Sequence, residues 1–270
     1  DLYGLLNDKF VTSGWKLVNQ KAAMAVFHEK HIDEVPWGES GVDLVIDASG
    51  VFENVIRARE LLARQNISHV VVTHSPEEVD FTMVLGANHD DLDVSKHRLI
   101  SSSICDATAL APVLKQVEQM YGIREGYVTT LHPWLNYQNL SDGPASSWAH
   151  PGEIYHHYAL GRSSIGNMIP KPTSAISATC KVLPELSEDR IGSFSYRTPT
   201  AIIGSADITL VLKDETTASD VVEGFRKLES EQQWNLFYNN EEPLVSLDFL
   251  QSEYSAIVDH RWTKVVGGNL

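Results

Sequence analysis

Cys105 and His132 are the residues whose types could carry nucleophilic chemistry. Cys105 stands where an apolar run, Leu99-Ile100-Ser101, gives way to a helical pattern that begins at Asp106. The partial positive charge and free amide groups at a helix N-terminus favour a thiolate. A thiolate there can attack an aldehyde or ester-like carbon if a base is within reach. His132 closes an alternating, strand-like segment from Gly126. An imidazole at a strand end could take the thiol proton and later move the proton of the reacting carbinol. Plain structural readings stand beside these: a small buried hydrophobe for the cysteine, a structural or surface side chain for the histidine. Asp106, next to the sulfur, opposes thiolate formation.

Other candidates offer less. His150 with His156-His157 lacks the carboxylate or cysteine that would complete a ligand set and reads as surface loop, so no metal is expected. Cys180, within a helical pattern over Ala175–Val182, reads as packing. Trp134 and Trp148 either line a pocket or cap the loop between them. The chain has no Gly-x-Ser-x-Gly elbow and no phosphate-cradling loop ending in Lys-Ser or Lys-Thr.

The elements that must position these residues follow from periodicity. Residues 42–47 and 69–73 read as buried strands with a helix over 53–64 between them, the size of a βαβ unit. Val55, Ile56, Leu61 and Leu62 form that helix's apolar stripe. A second helix runs from Asp106 to Gly122, with Pro112 in its first turns. Residues 133–162, rich in Ser, Gly, Pro, His and aromatics, read as long loop. Beyond it the texture changes: strands over 191–197, 206–212, 255–258 and 263–266, and an amphipathic helix over 217–229. The expected architecture is α/β, a parallel-paired unit over 1–104 followed by an α+β domain with a mostly antiparallel sheet over 105–270.

Composition narrows the function. The 270 residues carry a formal charge of -15, and no basic cluster interleaved with aromatics interrupts it, which argues against nucleic acid. No run of about 20 apolar residues is long enough to span a membrane. Two cysteines cannot build a disulfide framework, and the first residues do not read as a signal peptide, so a reduced, cytoplasmic setting is expected.

A series of short motifs runs in one order along the chain: Pro36-Trp37-Gly38, Ser49-Gly50-Val51-Phe52, Asn88-His89-Asp90, Cys105 with Leu110-Ala111-Pro112, and Thr129-Thr130-Leu131-His132. It continues through Asp142-Gly143-Pro144, Asn167-Met168-Ile169-Pro170, residues 181–186, Arg197-Thr198-Pro199-Thr200 and Pro243-Leu244-Val245-Ser246. Over nearly its whole length the sequence resembles the glyceraldehyde-3-phosphate dehydrogenase family, which includes the erythrose-4-phosphate dehydrogenases. The resemblance implies a Rossmann-like dinucleotide-binding domain, a catalytic domain, NAD or NADP as cofactor, a small aldehyde substrate, and a homo-oligomer, tetramer or dimer. In the family a cysteine forms a thiohemiacetal, hydride passes to nicotinamide, and a thioester remains. Cys105 falls on that cysteine and His132 on the base. Thr173 and Arg197 fall on residues that meet substrate phosphate, a role that suits the guanidinium fork. Ser49, Gly50 and Phe52, at the end of a parallel strand, would border the cofactor, with Thr73 and Asn88 as further cofactor-side candidates.

The departures carry equal weight. The family's run Ser-Cys-Thr-Thr-Asn-Cys becomes Ile104-Cys105-Asp106-Ala107-Thr108-Ala109, so the hydroxyls flanking the nucleophile are replaced and an anion at Asp106 repels inorganic phosphate. Leu135 stands for a family threonine and Ser174 for a glycine after the phosphate-binding threonine. No counterpart of the family's opening strand and Gly-x-Gly-x-x-Gly turn precedes Asp1, and none of its Trp-Tyr-Asp-Asn-Glu segment follows Leu270; a partial chain is expected. The expected function is oxidation of a phosphorylated or related polar aldehyde by a nicotinamide-dependent oxidoreductase. The alternative is a non-catalytic homologue acting as a binding or assembly subunit, and a third reading passes the acyl group to water.

Overall fold

The computed structural model describes residues 8–135, 138–143 and 158–270. It divides into two compact units. The first holds the described residues up to Met83 with Asn88–Ile104, and the second holds Val84–Ala87 with Cys105–Leu270.

The first unit opens with three short antiparallel strands, β1 (Val11–Ser13), β2 (Lys16–Val18) and β3 (Ala23–Ala25). Four further strands follow: β4 (Leu44–Asp47), β5 (His69–Val72), β6 (Phe81–Thr82) and β7 (Leu99–Ser101). They pair in the order β4-β5-β7-β6, every pair parallel. Helix α1 (Phe52–Arg64) crosses from β4 to β5 and completes the βαβ unit that periodicity implied. Val55, Ala58, Leu61 and Leu62 of α1 bury against Val45, Val70, Val72 and Leu99. Ile56, expected in that stripe, is exposed, because its position on a 3.6-residue turn falls outside the arc set by 55, 58 and 62. On β4 alternation buries Val45 and Asp47 and leaves Leu44 and Ile46 exposed.

The second unit is built on α2 (Cys105–Tyr121), β8 (Ile123–Pro133), β9 (Ile169–Lys171), α3 (Ala175–Val182), β10 (Ile191–Thr198), β11 (Ser205–Leu212), α4 (Ala218–Glu231), β12 (Phe237–Asn240) and β13 (Ala256–Asp259). Its main sheet runs β11-β8-β10-β9, with β8 and β10 parallel and the two outer pairings antiparallel. Leu110, Leu114 and Val117 of α2, Ile176 and Val182 of α3, and Ile123, Val128 and Ile191 of the sheet share one core. Pro112 lies about two turns inside α2 rather than at its start; it is buried, and its missing N–H removes one internal hydrogen bond. Residues 263–266 form no strand; the chain leaves β13 through a 3-10 turn over His260–Trp262. The loop expected over 133–162 lies largely outside the described residues, as do His150, His156, His157 and Trp148.

No described helix is long and apolar enough to cross a membrane. The parallel sheet of the first unit and the mixed sheet of the second give an α/β fold with a Rossmann-like fragment and an α+β domain.

Candidate active site

Cys105 is the first residue of α2 and is exposed. The chain turns into the helix through Ser103, whose φ of 63° lies in the left-handed region that side chains rarely adopt. Although the residue opens to solvent, protein packed behind the sulfur desolvates it, and this burial, with the Asp106 carboxylate next, holds the thiol above its ordinary pKa. The amides of Asp106 and Cys105 and the Arg197 guanidinium pull the other way without prevailing. The dipole of α2 alone therefore does not set the state of the sulfur.

His132 lies near the end of β8. Its Nε2 is 2.9 Å from Oδ1 and 3.1 Å from Oδ2 of Asp106. Asp106 Oδ2 also accepts from the Thr173 hydroxyl at 3.4 Å, while Thr173 Oγ1 accepts the Ala175 amide at 3.1 Å and so closes the first turn of α3. The sulfur of Cys105, a carboxylate oxygen of Asp106 and a ring nitrogen of His132 all lie within 4.8 Å of one another. No hydrogen bond joins Cys105 to His132 among the described residues. The imidazole nitrogen is engaged by the carboxylate instead. Three such donors could share a soft divalent cation, but the cationic Arg197 and Lys171 beside them oppose one.

Register places the rest. Arg197 of β10 pairs directly with His132 of β8 and with Ile169 of β9. Its Nη1 donates to the Pro133 carbonyl at 3.2 Å, while its buried Nε has no partner. The structure thus brings Cys105, His132, Thr173 and Arg197 to one end of α2 and the main sheet. Two neighbours there escaped sequence reasoning in these roles. Asp106 is the partner of His132 as well as a repulsive neighbour of the sulfur. Lys171 is a half-buried ammonium whose pKa is lowered by burial and then by Arg197, with Asp106 and Cys105 acting against that. The Ile-Pro-Lys-Pro-Thr spelling that carries Lys171 was visible, but nothing local showed which strand β9 would join.

The cofactor-side candidates belong to the first unit. Ser49 and Gly50 follow β4, and Phe52 begins α1. The Ser49 amide donates to Asp47 Oδ1 at 2.9 Å, and its hydroxyl accepts from the Val51 amide and Asn54 Nδ2, both at 3.2 Å. Gly50 has φ 69° and no atom within 4 Å of where a Cβ would sit, so its glycine is required by backbone conformation and not by crowding. Thr73 follows β5 and donates its amide to the Asp47 carbonyl at 3.1 Å. Asn88 donates to the carbonyl of Thr82, the last residue of β6, at 2.9 Å. All five therefore sit at the carboxyl ends of parallel strands, the edge where open α/β sheets take ligands. There the buried Asp47 Oδ2 has no partner, which leaves an acceptor available to a ligand hydroxyl.

Comparison with known proteins adds an independent finding. Residues 104–270 match the family described as Glyceraldehyde 3-phosphate dehydrogenase, C-terminal domain. Glyceraldehyde-3-phosphate dehydrogenase 1 of Kluyveromyces lactis is 32% identical over 257 residues, which is 95% of this chain and 74% of that protein. Glyceraldehyde-3-phosphate dehydrogenase 2 of Streptomyces avermitilis is 32% identical over 244 residues, 90% of this chain and 69% of its own length. Glyceraldehyde-3-phosphate dehydrogenase 1 of Bacillus cereus is 28% identical over 269 residues, covering 100% of this chain and 77% of that protein.

Proposed function

From the premise that this chain belongs to the glyceraldehyde 3-phosphate dehydrogenase family, we propose that it is an oxidoreductase that oxidises a phosphorylated or related polar aldehyde. The observation that carries the reading is the meeting of the Cys105 sulfur and the His132 imidazole, within 4.8 Å, at the start of α2.

In this reading the Cys105 thiolate adds to the aldehyde carbon, and the thiol proton passes to the imidazole–carboxylate pair of His132 and Asp106. The new C–S bond displaces the π pair of the carbonyl onto its oxygen, and Arg197 and the amides at the start of α2, which favour an anion at the sulfur, would stabilise that charge. When bound, NAD or NADP supplies the hydride acceptor; Ser49, Gly50, Phe52, Thr73 and Asn88 would hold it at the carboxyl edge of the parallel sheet. Return of the proton from His132 to that oxygen gives the carbinol; loss of hydride to a bound nicotinamide, and of the carbinol proton back to His132, would then leave an acyl thioester on Cys105. An acceptor then forms a bond to the acyl carbon, the C–S bond breaks, and the proton returns to sulfur. Thr173 and Arg197 would orient the substrate's phosphate.

A non-catalytic role is favoured by one observation: the thiol is held above its ordinary pKa, with a carboxylate on the nitrogen that should serve it. The two readings part in one experiment. The protein is incubated with glyceraldehyde-3-phosphate or erythrose-4-phosphate and either nicotinamide cofactor, and reduced cofactor is followed by absorbance, with Cys105→Ser as control. Cofactor reduction that disappears in Cys105→Ser establishes the enzyme. Absence of turnover, together with Cys105 labelled by iodoacetamide no faster than a free thiol and not protected by cofactor, establishes the other reading.

A further inference from the structure

Asp106 sets an anion in the first turn of α2, beside the sulfur of Cys105. Its carboxylate takes two donors among the described residues, the ring of His132 and the hydroxyl of Thr173. A carboxylate has about four lone-pair sites, so Asp106 can still accept a proton. Neither Asp106 nor Ile104, on the other flank of the sulfur, carries a side-chain donor for an incoming anion. Solvent reaches the group: Cys105 is exposed, and the side chains of Asp106 and His132 are 15% and 17% exposed.

Strand register supplies the cations. Lys171 lies in one row with Ser195 and Thr130 across β9, β10 and β8, and Arg197 with His132 occupies the next row on the same face. Lys171 senses the charges of Arg197, Asp106 and Cys105. Two cations thus stand with one carboxylate. A substrate phosphate on Arg197 brings a charge of about −1.5 to −2, which leaves these groups together net negative. A second phosphate would approach an acyl group on Cys105 against that charge, beside Asp106. A neutral acceptor meets no such opposition. The sulfur and a carboxylate oxygen of Asp106 lie within 4.8 Å. One water spans that gap, at about 2.6–3.2 Å from the carboxylate and about 3–3.5 Å from the carbon it attacks.

We propose that water is the acyl acceptor in this protein and that Asp106 is the catalytic base that activates it, so that the product is a free carboxylic acid. The origin of the thioester rests on the oxidoreductase reading; its hydrolysis does not. The water oxygen forms a bond to the acyl carbon as its proton passes to Asp106, and the carbonyl π pair moves onto the carbonyl oxygen. His132 and Thr173 hold the carboxylate in place meanwhile. The adduct then collapses: the carbonyl re-forms, the C–S pair returns to sulfur, and the sulfur takes the proton from Asp106. Nothing is oxidised or reduced in this step.

The test acylates Cys105 of the whole protein with p-nitrophenyl acetate, which needs no cofactor, and follows loss of the acetyl group by mass spectrometry of the Cys105 peptide. In phosphate-free buffer the parent should clear its acetyl group, and added phosphate should leave that rate unchanged. Asp106→Asn, with thermal unfolding as fold control, should clear it at least about a hundredfold more slowly, the scale of general-base catalysis. The same variant should acylate no more slowly than the parent, because the carboxylate opposes the thiolate. Those opposite movements distinguish a base from a structural residue, whose loss would slow both steps. Acetyl-Cys105 that persists in the parent until phosphate is added overturns the proposal, as does a folded Asp106→Asn that clears at the parent's rate. With aldehyde and nicotinamide cofactor, reduction that runs past one turnover per Cys105 without phosphate and releases free acid is the matching result. Reduction that stops after one turnover until phosphate is added sinks the proposal alone. Clearance of acetyl-Cys105 by water, with no cofactor reduction by aldehyde, sinks the oxidoreductase reading alone. A Cys105 that the ester never acylates sinks both.

Discussion

The imidazole of His132 bonds to the carboxylate of Asp106, 26 residues earlier, and not to the sulfur of Cys105 beside it. That relationship sets an anion beside both the base and the nucleophile, where it holds the imidazole nitrogen and, after burial, opposes ionisation of the thiol.

Removing the anion should free the sulfur. Asp106 raises the pKa of the Cys105 thiol, so its loss lowers that pKa and increases the thiolate fraction at fixed pH. Asp106→Asn is expected to speed iodoacetamide labelling of Cys105 at neutral pH about three- to tenfold, since each pKa unit is worth tenfold in thiolate. Slower labelling would show that the carboxylate serves the sulfur through His132 more than it opposes it.

The labelling rate of the parent protein should keep rising above the pH at which a free thiol levels off. Desolvation and then Asp106 hold the thiol pKa high, so thiolate accumulates only at more alkaline pH. A plateau already reached near neutral pH, measured by mass spectrometry of the Cys105 peptide, contradicts this.

Cofactor binding should depend on the carboxyl edge of the first sheet. Gly50 (φ 69°) follows β4 and Gly41 (φ 70°) precedes it, and both lack neighbours within 4 Å of a built Cβ. Alanine at either should cost about 1 kcal/mol of stability through backbone strain alone. Fluorescence titration with reduced nicotinamide cofactor is expected to weaken for Gly50→Ala and not for Gly41→Ala. Equal effects would remove the cofactor from that edge.

Acid should destabilise the fold partly through His260. This histidine is buried, with Nε2 2.7 Å from Asn239 Oδ1 and Nδ1 3.1 Å from Thr263 Oγ1. Burial is the main cause that lowers its pKa, so below about pH 6.5 the unfolded chain binds a proton that the folded protein resists. Stability is therefore lost as pH falls from about 6.5 through the depressed folded value. Denaturant titrations at pH 7 and 5.5 should show this slope, and His260→Gln should flatten it. An unchanged slope assigns the acid sensitivity to other groups.

Leu114 is fully buried between α2 and the main sheet, so Leu114→Ala should cost about 2–5 kcal/mol, read as a lower midpoint in urea. A cost below about 1 kcal/mol would mean that the second unit's core can collapse around the cavity.

Local sequence determined which segments become helix and strand, because the period of apolar residues is a property of each segment alone. It set the βαβ unit through the 53–64 pattern, put Cys105 at a helix start and His132 at a strand end, and through ordered motifs identified the family. It erred where one apolar residue lies outside the buried arc of its helix, as at Ile56, or where a short β-rich run such as 263–266 finds no strand to pair with. Tertiary structure alone decided who meets whom. The bond of His132 to Asp106, the pairing of Arg197 with His132, and the row of Thr130, Ser195 and Lys171 arise from strand register and from packing of α2 and α3 on the sheet. Those pairings join residues far apart in the chain, and a periodicity fixes which face a side chain takes without fixing the partner that face will find.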